Sequence, residues 1–208
     1  MRNYIGTLLL SFLIHFATGQ SLDKPELSFN TKIAIQLDSI HGEDQKLRLK
    51  TAEIENKSGF QSQEMQNHWR MIHKKDSMNV IEVTKILDKF GWLGADAVGG
   101  KANTTLFLVI QHADQKTQEK YLPMMRDAVK NGKAQGSSLA LLEDRVAIGQ
   151  GRKQIYGSQI HQSRETGRFF VAPIEDEVNV NKRRASVGLE PLEEYVKRWE
   201  IDYHFPSK

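Results

Sequence analysis

The sequence predicts a mainly α fold, a single helical domain carrying a small β-hairpin near its C-terminal third. Three observations point there. Apolar residues recur at helical spacing between Ile33 and Val146, which is the signature of one buried helix face after another. One segment, Leu106 to Ile110, is apolar on every side. Strand-like runs appear only between Gln154 and Ala172. With 208 residues, 39% of them hydrophobic and 26% charged, the chain can bury one core and keep a well-solvated surface. It has no cysteine, which excludes a disulfide scaffold, a cysteine nucleophile and any thiolate metal site.

The N-terminus reads as a signal peptide rather than as part of the fold. Arg2 precedes an apolar run from Tyr4 to Phe16, and Ala17-Thr18-Gly19 places small residues three and one positions before Gln20. A charged start, a short apolar stretch and a small-residue exit are the parts of a secretory leader. The run is shorter than the roughly 20 residues that span a bilayer, so no stable membrane insertion is expected after cleavage. The expected organisation is residues 1–19 as leader and 20–208 as one helical domain, secreted or periplasmic. Cleavage removes one arginine and no acid, taking the formal charge from +3 to +2.

The elements follow in order. Ile33, Leu37, Ile40, Leu47 and Ile54 predict two helices, over about 28–41 and 43–56, divided at Gly42 and closed by Gly59. A polar helix from about Gln61 carries Met65, Trp69 and Ile72 on one face, and Asp76 or Ser77 is placed to cap the next helix. That helix bears Val80, Val83, Leu87 and Phe90 and ends at Gly91, ahead of a turn-rich loop from Gly94 to Gly100. Thr104–Ala113 fits a central strand or a buried helix; the helix is preferred, because no neighbouring segment offers parallel strands. Leu122, Met125 and Val129 mark a further helix stopped near Gly132, and Leu139, Leu142 and Val146 another stopped by Gly149 and Gly151. Residues 154–160 and 168–172 then read as a loose hairpin, which must lie against the helices because two strands alone are marginal in water. A basic helix over about 176–187 and a last one with Leu192, Tyr195, Val196 and Trp199 close the chain.

The common catalytic fingerprints are missing: no phosphate loop, no GxGxxG, no HExxH and no nucleophile elbow occur. His68 and His73 are five apart and so lie on different sides of a helix; both are expected at the surface, and neither a metal nor a cofactor is expected. Asn56-Lys57-Ser58 and Asn103-Thr104-Thr105 fit the short glycosylation triplet. Lys182-Arg183-Arg184 follows Glu175, Asp176 and Glu177 and reads as a solvated helix face, not as a nucleic-acid patch.

Three groups of polar residues break the pattern. Gln111, His112 and Asp114 close the apolar segment; they either tie down a helix end or supply a histidine acid or base. Arg145 falls within the apolar arc of its helix, beside Leu141 and Leu142, while Asp144 points elsewhere. A buried arginine needs a partner, so Arg145 either snorkels to solvent, meets a carboxylate such as Asp114 or Asp176, or faces a ligand anion. Gln154, Tyr156 and Gln159 crowd the presumed hairpin, with Gln159 joining the others only if Gly157 bulges. They fit a ligand site and a hydrogen-bonded latch equally well.

Taken in order, the blocks Asp76 with Asn79, Gly91-Trp92, Val98-Gly99, Gln111-His112-Ala113-Asp114, Asp144-Arg145-Val146, Gly151 with Gln154, Tyr156-Gly157-Ser158-Gln159, Pro173-Ile174-Glu175-Asp176, Arg183-Arg184 and Gly188-Leu189 resemble an uncharacterised, mainly bacterial domain-of-unknown-function family. Ser158 stands where that family usually has threonine, and Leu93 where proline commonly follows the Gly-Trp pair. The resemblance spans residues 30–198 and implies that the three polar groups recur together, but it carries no activity. Two readings result. The first is an exported ligand-binding or structural helical module that takes a small polar or anionic ligand. The alternative is a small extracytoplasmic hydrolase or lyase. There His112 acts as general acid/base, Asp114 or Asp144 orients it, Arg145 holds an anionic group, and Gln111, Gln154, Tyr156 and Gln159 position the substrate.

Overall fold

The computed structural model describes residues 30–163 and 165–205; the segment read as a signal peptide lies outside the described residues. The chain is mainly α. Its helices are α1 (Thr31–Arg48), α2 (Thr51–Ser58), α3 (Gln63–Phe90), α4 (Ala95–Val98), α5 (Gly100–His112), α6 (Gln115–Lys130), α7 (Gly136–Gly149), α8 (Val180–Ser186) and α9 (Leu192–Tyr195). A two-stranded antiparallel hairpin, β1 (Ile160–Gln162) and β2 (Phe169–Val171), lies between α7 and α8. Short 3-10 turns precede α8 and follow α9. Among the described residues no helix is long and apolar enough to cross a membrane.

The apolar segment is the helix α5, at the centre of the main core. Leu106, Val109 and Ile110 are buried there with Leu37 of α1, Val83 and Leu87 of α3, Met125 of α6 and Leu142 of α7. Helix α1 packs most extensively on α5 and α3, and α6 packs on α7. A second, smaller core of Ile174, Val180, Leu192 and Val196 holds the C-terminal part together.

Two helix boundaries differ from the sequence expectation, and both bear on function. Gly42 does not divide α1. A glycine inside a helix costs about 1 kcal/mol relative to alanine, and the burial of Ile33, Leu37 and Ile40 on α5 and α3 outweighs that. Asp76 and Ser77 do not cap a helix either. Ser62 caps α3 by accepting from the Met65 amide, and the helix then runs unbroken for 28 residues to Gly91. Between Gly94 and Gly100 the expected loop holds the single-turn helix α4. The hairpin also starts later than expected, at Ile160, because Gly157 adopts a left-handed φ of 71° and turns residues 154–159 out of the strand.

Candidate ligand-binding groove

Unbroken α1 and α3 carry polar residues on their apolar faces, and these meet at the end of α5. Helix α1 supplies Asp44 and, one turn later, Arg48; α3 supplies Trp69, His73 and Asp76; the last residue of α5 is His112. Asp44 is only 2% exposed, so its carboxylate needs partners. It has His112, with Nδ1 3.0 Å from Oδ1, and Arg48, with Nε 3.5 Å from Oδ2. Arg48 also donates from Nη2 to Asp76 Oδ1 at 2.7 Å.

His112 Nδ1 lies 3.2 Å from Arg48 Nε as well, yet one ring nitrogen cannot both accept from a guanidinium and donate to a carboxylate. The buried carboxylate decides the matter, because a lone pair set against Oδ1 would repel it and leave that oxygen without a donor. Nδ1 therefore carries a proton and donates to Asp44, so the nitrogen left to the groove is Nε2. Nε2 has no protein partner among the described residues, and the ring lines an open groove. Burial pushes the Asp44 carboxyl up, but the hydrogen bond from His112, the charge of that ring when it is protonated, the charge of Arg48 and a bond from Gln45 outweigh it, and the group is held below its ordinary value.

Asp44, Asp76 and His112 offer atoms within 4.8 Å of one another, close enough to share a cation. Arg48 already supplies that cation, bonded to one carboxylate and beside the other. A divalent ion would have to displace it.

The groove consists of two adjoining hollows of about 470 and 460 Å³ that share His73, Asp76 and His112. The first continues over Ser77, Val80 and Asp114; the second over Arg48, Thr51, Trp69 and Arg145. Arg145 is not sunk in the core. It is exposed on the flank of α7, and among the described residues no carboxylate lies within 4.0 Å of it, neither Asp114 nor Asp176. Protein on the surrounding sides strips enough water from the guanidinium to lower its pKa; the Tyr195 phenol opposes this and the like charge of Arg48 adds to it. Of the three fates open to Arg145 in the sequence, the structure shows a solvent-facing cation unmatched by any carboxylate.

The remaining residues singled out in the sequence are placed elsewhere. Asp114 caps α6, accepting from the Thr117 amide, which holds its carboxyl below the ordinary range; it borders the groove at its far end. Gln111 is buried behind His112 and does not line the groove. Asp144 is fully buried and accepts from the backbone amides of Ile155 (2.6 Å), Tyr156 (2.9 Å) and Ser158 (2.9 Å). Gln154, also fully buried, donates to the carbonyls of Gln159 and Ala172 and accepts from the Gln159 amide. Gln159 donates to the Leu141 carbonyl and Ser158 Oγ. Tyr156 is half-buried, and its carbonyl accepts from Arg184 at 2.7 Å. These residues form a latch closing the C-terminal part on α7, and none of them reaches the groove.

Two further expectations are corrected, for the basic run and for His68. Arg184 is not a solvated surface residue: it is fully buried, donates to the carbonyls of Glu190 and Tyr156, and lies 4.8 Å over the Tyr195 ring. Arg183 is likewise engaged, with the carbonyls of Ile155, Glu175 and Asp176. His68 is buried and bonded to Thr51 at 3.0 Å, whereas His73 is at the surface as expected. Asn103 is buried with its amide donating to the carbonyls of Leu93 and Lys133, which closes that glycosylation triplet.

The sequence reading missed Asp44, Arg48 and Trp69 as site residues and took Asp76 for a cap. A signal was present. Asp44 continues the stripe of Ile33, Leu37 and Ile40, and Asp76 that of Met65, Trp69 and Ile72. Each acid becomes visible as a polar residue on an apolar face once its helix is read as continuous.

Fold and groove together define a mainly α protein with an open, arginine- and histidine-lined cleft between its helices. The chain belongs to the family of unknown function DUF6624, whose match runs over residues 33–208 and takes in every residue of the cleft. No curated protein and no solved structure is significantly similar to it.

Proposed function

We propose that this is an exported ligand-binding protein whose groove between α1, α3, α5 and α7 takes a small anionic ligand. The observation that carries the reading is Arg145, a permanent cation in the same hollow as Arg48 and His112 and, among the described residues, with no carboxylate of its own. Arg48 is already engaged by Asp44 and Asp76, two carboxylates against one guanidinium, so an anion is drawn by the uncommitted guanidinium of Arg145 at close range and not by the summed charge of the hollow. Inorganic phosphate tests it: the wild-type melting temperature rises with phosphate concentration and that of Arg145→Met does not, since a ligand that binds only the native state stabilises it by mass action. No response in the wild type overturns the reading. Export rests on Arg2, the apolar run and the Ala17-Thr18-Gly19 exit; N-terminal sequencing of extracytoplasmic material is expected to begin at Gln20, and Met1 there would contradict it.

A second reading, a hydrolase or lyase, is favoured by one specific feature. Asp44 fixes the tautomer of His112 and leaves Nε2 open to the groove, the arrangement of an oriented general base. Turnover of an ester of the bound anion, lost in His112→Gln while binding persists, supports it. Binding without turnover leaves the first reading alone.

A further inference from the structure

Trp69 lies half-buried on α3, one turn before His73, and lines the hollow that contains Arg48 and Arg145. The Trp69 and His73 rings are neighbours, 28° from parallel with centroids 6.2 Å apart, and both line one wall of the hollow as an aromatic shelf. The hydroxyl of Thr51 and the apolar side chain of Ile72 are on the same hollow. The main core closes without Trp69, which is absent from its buried cluster, and an indole left half in water retains an unfilled capacity to stack. The opposite requirement comes from Arg145, which attracts an anion. A cleft of about 460 Å³ is within the size range that holds a compact small molecule.

Resting on the anion-binding reading above, we infer that the ligand is a nucleoside monophosphate or a molecule of that chemistry, with a flat ring on the Trp69–His73 shelf and its anionic group toward Arg145. The ring supplies sequence-tolerant stacking on an aromatic plane, and the phosphate supplies the charge. Thr51 offers a hydroxyl for the ring or sugar between them, its Oγ being shared with His68 at 3.0 Å.

The test is isothermal titration of the mature chain with the common nucleoside monophosphates, their nucleosides and ribose 5-phosphate. At least one nucleoside monophosphate is expected to bind about 10-fold or more tightly than ribose 5-phosphate, the typical value of one base stacked on an aromatic ring, and the unphosphorylated nucleoside far more weakly. Trp69→Leu is expected to erase that preference while leaving ribose 5-phosphate affinity unchanged, and Trp69→Phe to keep most of it. Equal affinity for nucleoside monophosphates and ribose 5-phosphate in the wild type overturns the ring site and leaves anion binding standing. Failure of every phosphate to bind overturns both. A nucleoside that binds as tightly as its monophosphate contradicts the orientation toward Arg145. The wild-type comparison decides the matter even where a Trp69 variant folds poorly.

Discussion

The groove and the C-terminal latch each bring together acids, amides and arginines, yet they differ in where those groups find partners. In the latch the polar side chains bond mainly to backbone: Asp144 to three amides, Gln154 to two carbonyls and an amide, Arg184 to two carbonyls, with a tyrosine ring beneath it and only its Nη2 left over, buried away from any opening. Backbone partners fix one loop conformation, and what capacity they leave is buried out of reach of a ligand. In the groove only the lower layer is satisfied, by the Asp44–Arg48–Asp76 network. Above it His112 Nε2 and Arg145 face open space without protein partners among the described residues. A buried polar residue is therefore a poor guide to function by itself; its unused bonding capacity at an opening is the better one.

That contrast is broken or sharpened first at Asp144. Replacing it with asparagine removes a charged acceptor from three amides and sets an NH2 donor against some of them, at a cost of about 3–5 kcal/mol. Urea denaturation should show the midpoint fall accordingly, with ligand affinity unchanged in the fraction that remains folded. A drop below about 1 kcal/mol would mean that the latch is not structural. Asp44→Asn should cost less, about 1–2 kcal/mol at neutral pH, because an amide oxygen still accepts from His112. The sign of its pH dependence is set by the lowered pKa of Asp44. The stability it contributes is present above the ordinary value of 3.8 and is lost as pH falls through the lower folded value. The gap between wild type and variant should then close below pH 3.8 in acid titrations followed by circular dichroism. A gap that persists unchanged into strong acid would show that the ionised carboxylate is not what the network needs.

Much of the fold was legible because helices announce themselves locally. The stripes of α3, α5, α6 and α7, their stops at Gly91 and Gly132, and the preference for helix over strand in the Leu106–Ile110 run are all visible without knowledge of the tertiary structure. What was hidden depended on packing. Gly42 looks like a breaker in sequence, and only the contact of α1 with α5 makes its intrinsic cost tolerable. Reading it as a boundary hid Asp44. Arg145 was legible as an anomaly but not in direction, since helical phase cannot say whether a flank meets core or cleft. The latch was legible as a cluster of amides, but its partners are backbone groups, which leave no trace in a list of side chains. The Gly42 account has its own check. A Cβ added there meets no atom within 4 Å, so Gly42→Ala should raise stability by about 0.5–1 kcal/mol without altering the groove. A loss of stability would mean that the helix is strained at that point.

The smallest expected effect on stability is the most informative. Arg145→Met should leave the urea midpoint within about 1 kcal/mol of wild type, because no carboxylate is orphaned by the change. The decisive measurement is that midpoint for both proteins, each with and without saturating nucleoside monophosphate. The account predicts matching midpoints without ligand and a ligand-dependent rise in the wild type alone. A variant that is about 3–5 kcal/mol less stable without ligand, or one that responds to ligand as the wild type does, would contradict the assignment of Arg145 to a binding groove.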